Sequence, residues 1–228
     1  MSDNRSIPVG AVRFGDLRRT APVARNFGYE RGSPVDRYYI ERFLAENAPS
    51  IKGRVLEFGG DEYTRQFGGS AVQTVEVLGR TTENSATTII ADLADAPHIP
   101  SSTFDCIVCT QVLQYVYDLR AALATLHRIL KPAGVLLATM PGITPTDDPH
   151  WQQSWYWSFT VPSARRLFGD EFGEDVDVVS RGNVLSAMCF LHGLAAEELV
   201  ESELAHDDPN IPFLITARAV RRGGTVSA

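Results

Sequence analysis

From Ile51 onward this chain repeats one pattern that few folds can satisfy: short apolar runs, each stopped by glycine or an acid, alternate with segments of helical period. Arg54-Val55-Leu56-Glu57-Phe58 runs into Gly59-Gly60, and further runs span residues 72–78, 87–91, 104–109 and 134–139. Such alternation is the mark of a parallel sheet with helices on its faces. Runs as apolar as Ile107-Val108 and Val135-Leu136-Leu137 suit strands buried on both sides. Between the fourth and fifth runs, Leu119, Leu123, Leu126 and Ile129-Leu130 recur at helical spacing behind Asp118, a suitable cap, and Lys131-Pro132-Ala133-Gly134 ends that helix in a turn.

The flanks complete the expected architecture. A helix rich in Tyr and Phe is expected over 36–45, a second near 163–168, a strand near 176–180, a helical region over 184–203, and a last strand over 212–220. The fold class that follows is α/β: a Rossmann-like, doubly wound, seven-stranded and mostly parallel sheet, its last strand antiparallel, with helices on both faces. The domain division expected is an N-terminal helical cap of residues 1–50 over the site, a core over 51–220 with an aromatic insertion at about 143–170, and a flexible tail over 221–228.

Charge narrows the partners. With 21 basic and 28 acidic residues the formal charge is 21 − 28 = −7, and Arg18-Arg19 and Arg221-Arg222 are only short basic pairs. Such a molecule repels nucleic-acid phosphates and anionic membranes, so neither is an expected partner, and a neutral or cationic small molecule suits the field better. Residues 1–8 lack the apolar core of a signal peptide, no run reaches the eighteen or so apolar residues of a membrane span, and three cysteines make no disulfide framework. A cytoplasmic protein is expected, with a homodimer possible.

In an open parallel sheet, ligands bind beyond the carboxyl ends of the strands. The first end offers Glu57, Gly59, Gly60, Asp61 and Glu62, the second Glu76, the third Asp92, the fourth Thr110-Gln111 and the fifth Met140-Pro141-Gly142. A dinucleotide fingerprint needs three glycines in register to meet a pyrophosphate. Here the later glycines are out of register, and three acids would repel phosphate at short range. S-adenosylmethionine carries no phosphate, but a sulfonium and an ammonium against one carboxylate, so an acidic glycine turn favours it. Glu76, 19 positions after Glu57, could accept the hydroxyls of an adenosine ribose. Asp92 could accept from the adenine amino group, and Leu93 could pack on the adenine ring.

These residues carry a resemblance. Residues 53–141, and above all Phe104-Asp105-Cys106-Ile107-Val108, Leu113-Gln114-Tyr115-Val116 and residues 126–134 in that order, resemble class I S-adenosylmethionine-dependent methyltransferases. The flanking stretches 27–39 and 156–160 are similar to a bacterial subgroup associated with glycan or secondary-metabolite pathways. The chain departs from the pattern at Gly59-Gly60-Asp61, a shortened glycine loop, and at Ser158, where a basic residue is the norm. The resemblance implies Glu57, Gly59 and Gly60 at the methionine end of the cofactor, Glu76 at the ribose and Asp92 with Leu93 at the adenine. It also implies Gln111 beside the sulfonium, and Arg31 and Tyr38 at the cofactor carboxylate or closing the pocket.

Other signals have plainer readings beside the functional ones. Cys106-x-x-Cys109 lies in a strand, where residues three apart point to opposite faces, and nothing nearby completes a zinc site, so no metal is expected. The three tryptophans between 151 and 157 fit a substrate platform, an interface or simple packing. His150, and comparably Tyr156, could take a proton from a nucleophile. The expected activity is methyl transfer from S-adenosylmethionine to an O or N nucleophile of a small-molecule acceptor, a sugar, glycan or secondary metabolite, with S-adenosylhomocysteine released. A catalytically inactive cofactor-binding partner stays open, and so does a nicotinamide-dependent oxidoreductase.

Overall fold

The computed structural model of this chain describes residues 7–146 and 152–223. Seven strands form one sheet: β1 (Gly53–Phe58), β2 (Val72–Gly79), β3 (Ile89–Ile90), β4 (Phe104–Thr110), β5 (Leu130–Pro141), β6 (Val176–Arg181) and β7 (Leu214–Val220). Their order is β3-β2-β1-β4-β5-β7-β6. All run the same way except β7, which slots between β5 and β6 and pairs antiparallel with both. The chain order reverses between β1 and β4, which places the switch point, and hence the natural ligand crevice, at their carboxyl ends.

Both faces of the sheet are covered, as the uninterrupted apolar strands require. One face, with Leu56, Ile107 and Leu136, packs on α3 (Leu119–Ile129) and α4 (Val161–Phe172). The other, with Val55, Val108 and Leu137, packs on α1 (Val35–Glu46) and α5 (Val184–Leu191). Local sequence sets the helix starts. Asp118 accepts from the Ala121 N–H at 3.1 Å, and Thr160 and Ser163 cap each other's backbone in a capping box. α2 (Glu62–Gly68) follows β1 directly, and the short α6 (Glu201–Leu204) leads toward β7.

Tyr39, Ile40 and Leu44 of α1 are fully buried on the sheet, so α1 also belongs to the core. Four expectations need correction. The aromatic insertion ends before residue 161, since α4 buries Ala164, Phe168 and Phe172 in the main core. β3 pairs only at Ile89 and Ile90, because the Thr88 hydroxyl takes the Val77 N–H at 2.9 Å. β5 begins at Leu130 rather than at Gly134: the expected turn forms inside the strand as a bulge, where Phe104 pairs with Leu130 and Cys106 already with Val135. The helical region over 184–203 breaks after Leu191, where Gly193 takes φ +67° and packs against the backbone of Ala24, so a side chain would be both strained and obstructed there.

Candidate active site

Two adjoining chambers open at the switch point, of about 320 and 630 Å³. They share Phe58 at the end of β1 and Gly59 after it, and Gln111 and Tyr115 after β4. Both sit where the parallel strands end, so backbone groups freed from the ladder border them.

Glu57 builds the first chamber's floor. It is buried at the end of β1 and accepts the Tyr63 N–H at 3.2 Å and the Thr64 N–H at 2.7 Å, which ties strand to helix across the intervening turn. Burial pushes its carboxyl up, against those hydrogen bonds. Within the turn Gly59 has φ +76°, a conformation glycine adopts freely, and a Cβ there would meet nothing within 4 Å. Gly60, Glu62 and Tyr63 line the chamber beside it.

The opposite wall comes from the first turn of α1. Asp36 is buried, and burial pushes its carboxyl up although the Arg37 charge opposes this. Burial works against the Arg37 charge, but Asp36, Tyr63 and Tyr29 outweigh it and hold the guanidinium above its ordinary value. Arg37 donates to the Tyr63 hydroxyl at 3.1 Å, joining α1 to α2 over the glycine turn. Phe27, Phe190 and Phe213 supply apolar walls, with Phe27 stacked on Phe190 at 5.7 Å and on Trp155 at 6.4 Å. Phe27 is aimed there by an unusual backbone, since it and Asn26 both take left-handed φ, +60° and +51°.

Gln111 separates the chambers. It also has positive φ, +55°, while its N–H stays bonded to the Thr139 carbonyl at 2.9 Å. Gln114 is fully buried and donates from Nε2 to Gln111 Oε1 at 3.2 Å. The second chamber is lined by Gly79 at the end of β2 and Arg80 after it, by Ala91 to Ala94 after β3, and by Tyr117, Asp118 and Tyr156. There Asp92 accepts from the Ala94 N–H at 3.0 Å, and Leu93 is buried beneath.

Glu57, Gly59, Gly60 and Gln111 line the first chamber, and Asp92, Leu93 and Tyr156 line the second, together with Gly59 and Gln111. Tyr156 is half-exposed and meets Tyr117 edge-on at 5.4 Å. His150 lies outside the described residues. Three expected residues are not brought to either chamber. β2 runs three residues past Glu76 to Gly79, so Glu76 is a mid-strand residue held by Arg54 at 2.9 Å and by the Thr88 hydroxyl at 2.6 Å. Arg31 is clasped by both oxygens of Glu198, whose carboxyl it holds down at about 2. Tyr38 donates to Glu201 at 2.6 Å, since its place on α1 turns it toward α6 rather than the chamber.

Asp36, Arg37, Tyr63 and Gln114 were missed. Asp36 had a legible signal: positions 36, 39, 40, 43 and 44 form one helical stripe, and an acid at the head of an otherwise buried stripe is out of place without a function. Tyr63 and Gln114 had none, because their roles depend on contacts across the fold.

Comparison with known proteins adds an independent line. Residues 66–138, from α2 into β5, match the family model described as a methyltransferase domain. The protein named Arginine-hydroxylase NDUFAF5, mitochondrial, of Rattus norvegicus is 30% identical over 132 residues, 58% of this chain but 32% of that protein. The chain therefore spans about a third of the curated relative's length. Among solved structures, a Thermotoga maritima S-adenosylmethionine-dependent methyltransferase, described as a possible histamine N-methyltransferase, superposes with a TM-score of 0.57 at 17% identity, over 85% of this chain and 95% of that one. Haemonchus contortus phosphoethanolamine N-methyltransferase 2, solved with S-adenosylmethionine, gives 0.52 at 14% identity, over 88% of this chain and 61% of that one. At such identities the likeness is one of fold.

Proposed function

We propose that this chain, which carries a methyltransferase domain on a class I methyltransferase fold, moves a methyl group from S-adenosylmethionine to an O or N nucleophile of a small molecule, a sugar, glycan or secondary metabolite. The observation that carries this reading is the pair of chambers meeting at Gly59 and Gln111 over the switch point. One is walled by acids and a single guanidinium, Arg37, and the other is lined by Asp92, Asp118, Arg80 and the buried Leu93.

The residues fit the cofactor end by end. Asp92 and Leu93 would hold the adenine in the second chamber. Gly59, with open space where a Cβ would project, admits close approach of the linking atoms. Glu57 and Gly60 would border the amino-acid end, and Arg37 would take its carboxylate, the part first assigned to Arg31. Three acids, Glu57, Glu62 and Asp36, line this chamber against one guanidinium, Arg37, an excess of acceptors that favours a sulfonium and disfavours a pyrophosphate. S-adenosylmethionine supplies the electrophilic methyl group. The protein's own work is alignment of the nucleophile with it, which is worth up to roughly 7–11 kcal/mol of barrier.

A second reading is favoured by one observation: the curated relative with the matching region is named a hydroxylase. The fold thus supports other chemistry, and cofactor binding without methyl transfer is the alternative.

Thermal unfolding with S-adenosylmethionine, S-adenosylhomocysteine and NAD tests the reading first. At a hundredfold excess over the dissociation constant a ligand stabilises by about 2.7 kcal/mol, which moves the midpoint of a chain this size by roughly 5–10 °C. Shifts with both adenosyl-sulfur compounds and none with NAD are expected. A shift with NAD alone overturns the methyltransferase reading.

A further inference from the structure

With the adenine at Asp92 and Leu93 and the linking atoms at Gly59, the ribose of the cofactor falls between them. In the sheet, β2 lies between β3, which leads to Asp92, and β1, which leads to Gly59, so the ribose sits over the carboxyl end of β2. That end carries no acid. Glu76 stands three residues back, held by Arg54 and by the Thr88 hydroxyl. The second chamber is lined there by Gly79, which has no side chain, and by Arg80.

Arg80 is exposed, and its guanidinium makes no hydrogen bond, ion pair or ring contact among the described residues. The loop after it is tied to the glycine turn, because the Asn84 side-chain amide donates to the Gly59 carbonyl. The acid of that loop, Glu83, lines neither chamber. The second chamber's two acids each already accept a backbone N–H, Asp92 from Ala94 at 3.0 Å and Asp118, beyond β4, from Ala121 at 3.1 Å. A carboxylate over β2 would accept from both ribose hydroxyls and repel a phosphate. A guanidinium does the reverse, since it has donors only and its planar fork matches phosphate oxygens. Beyond Gly59, where the 5′ carbon points, three acids face one guanidinium. The field therefore changes sign along the ligand, from a free cation at the 2′ and 3′ positions to an excess of acids at the 5′ end.

We propose that the second chamber also binds adenosine phosphorylated at its 2′ or 3′ hydroxyl, that Arg80 holds the phosphate, and that such nucleotides compete with S-adenosylmethionine. This rests on the methyltransferase reading above for the direction in which adenosine lies. A ligand of this class fills the adenine and ribose positions but brings no sulfonium, so it blocks methyl transfer for as long as it stays bound. Arg80 thereby sets which nucleotides regulate the site.

The test is calorimetric titration of the full chain with adenosine and its 2′-, 3′- and 5′-monophosphates, each alone and in competition with S-adenosylhomocysteine, at low and high NaCl. The 2′- or the 3′-monophosphate should bind about tenfold or more tightly than adenosine at low salt and displace S-adenosylhomocysteine. That gap should narrow at high salt, because the Arg80 contact is open to screening. The 5′-monophosphate should bind no more tightly than adenosine. Arg80→Gln should abolish the preference and still bind S-adenosylhomocysteine, which shows the site intact, and Arg80→Lys, which keeps the charge, should retain part of it. Adenosine binding as tightly as the 2′- and 3′-monophosphates overturns the proposal, as does a preference that survives in Arg80→Gln or is shared by the 5′-monophosphate. So does failure of all four to bind a chain that binds S-adenosylhomocysteine. Failure of S-adenosylhomocysteine itself to bind, while the 2′- or 3′-monophosphate binds, would instead overturn the underlying methyltransferase reading.

Discussion

Glu57, the penultimate residue of β1, accepts the backbone N–H of Thr64 at 2.7 Å, so one buried carboxylate holds the first strand and the following helix on either side of the glycine turn. Replacing it tests how far the site depends on this tie. Glu57→Ala leaves the Tyr63 and Thr64 N–H groups without their acceptor, at a cost of about 1–3 kcal/mol each where no water replaces it. A fall of several degrees in the unfolding midpoint is expected. Glu57→Gln, which keeps one acceptor oxygen, should lose less, and both are measured by thermal melting.

Gly59→Ala separates backbone strain from contact. A Cβ at Gly59 meets nothing, so the substitution costs only the left-handed conformation at φ +76°, about 1–2 kcal/mol. The Cβ would project into open space of the chamber, so affinity for S-adenosylhomocysteine should fall as well. Calorimetric titration showing unchanged affinity would remove Gly59 from the cofactor site.

Asp36 gives a pH signature in the apo protein. Its folded carboxyl is raised, so the folded state holds the proton more tightly than the unfolded chain does. Stability from this group is fully present below about pH 4, the unfolded value, and is lost as pH rises through the folded value. Asp36→Asn should therefore unfold at a higher temperature than the parent at neutral pH, with the advantage vanishing in acid. Parallel melting curves from pH 4 to 8 check it.

The Arg31–Glu198 pair makes the opposite prediction. Glu198 is lowered from 4.5 to about 2, so its contribution is present above pH 4.5 and is lost as pH falls toward 2. Glu198→Gln should flatten the acid limb of the stability profile. The pair also pins the arm that carries Phe27, alongside Val23 and Ala24, whose N–H groups bond the His192 carbonyl. Cleavage of residues 18–31 by trypsin should therefore speed up in this variant.

Cys106 and Cys109 should stay unreactive toward alkylating reagents at pH 8 until the protein unfolds. Burial pushes the Cys106 thiol up to about 12 and the Cys109 thiol higher still, which leaves almost no thiolate. They belong to opposite faces of the sheet, as expected from their spacing of three.

Sequence alone determined the sheet and its covering helices, because those depend on periodicity, and burial on both faces leaves a continuous apolar run that no distant residue alters. It also determined the glycine turn and the acids at the ends of β1 and β3. The tertiary structure decided everything that rests on where an element stops or which way a helix faces. Glu76 left the site because β2 extends three residues farther, held by pairing with β1 out to Phe58 and Leu78. Arg31 and Tyr38 were drawn away by Glu198 and Glu201, acids more than a hundred and sixty positions distant. Asp36 and Arg37 entered in their place because the stripe containing Tyr39 and Leu44 must face the sheet, and burying it rotates the first turn of α1 over the switch point. Side-chain direction follows from packing, and packing is a property of the whole chain.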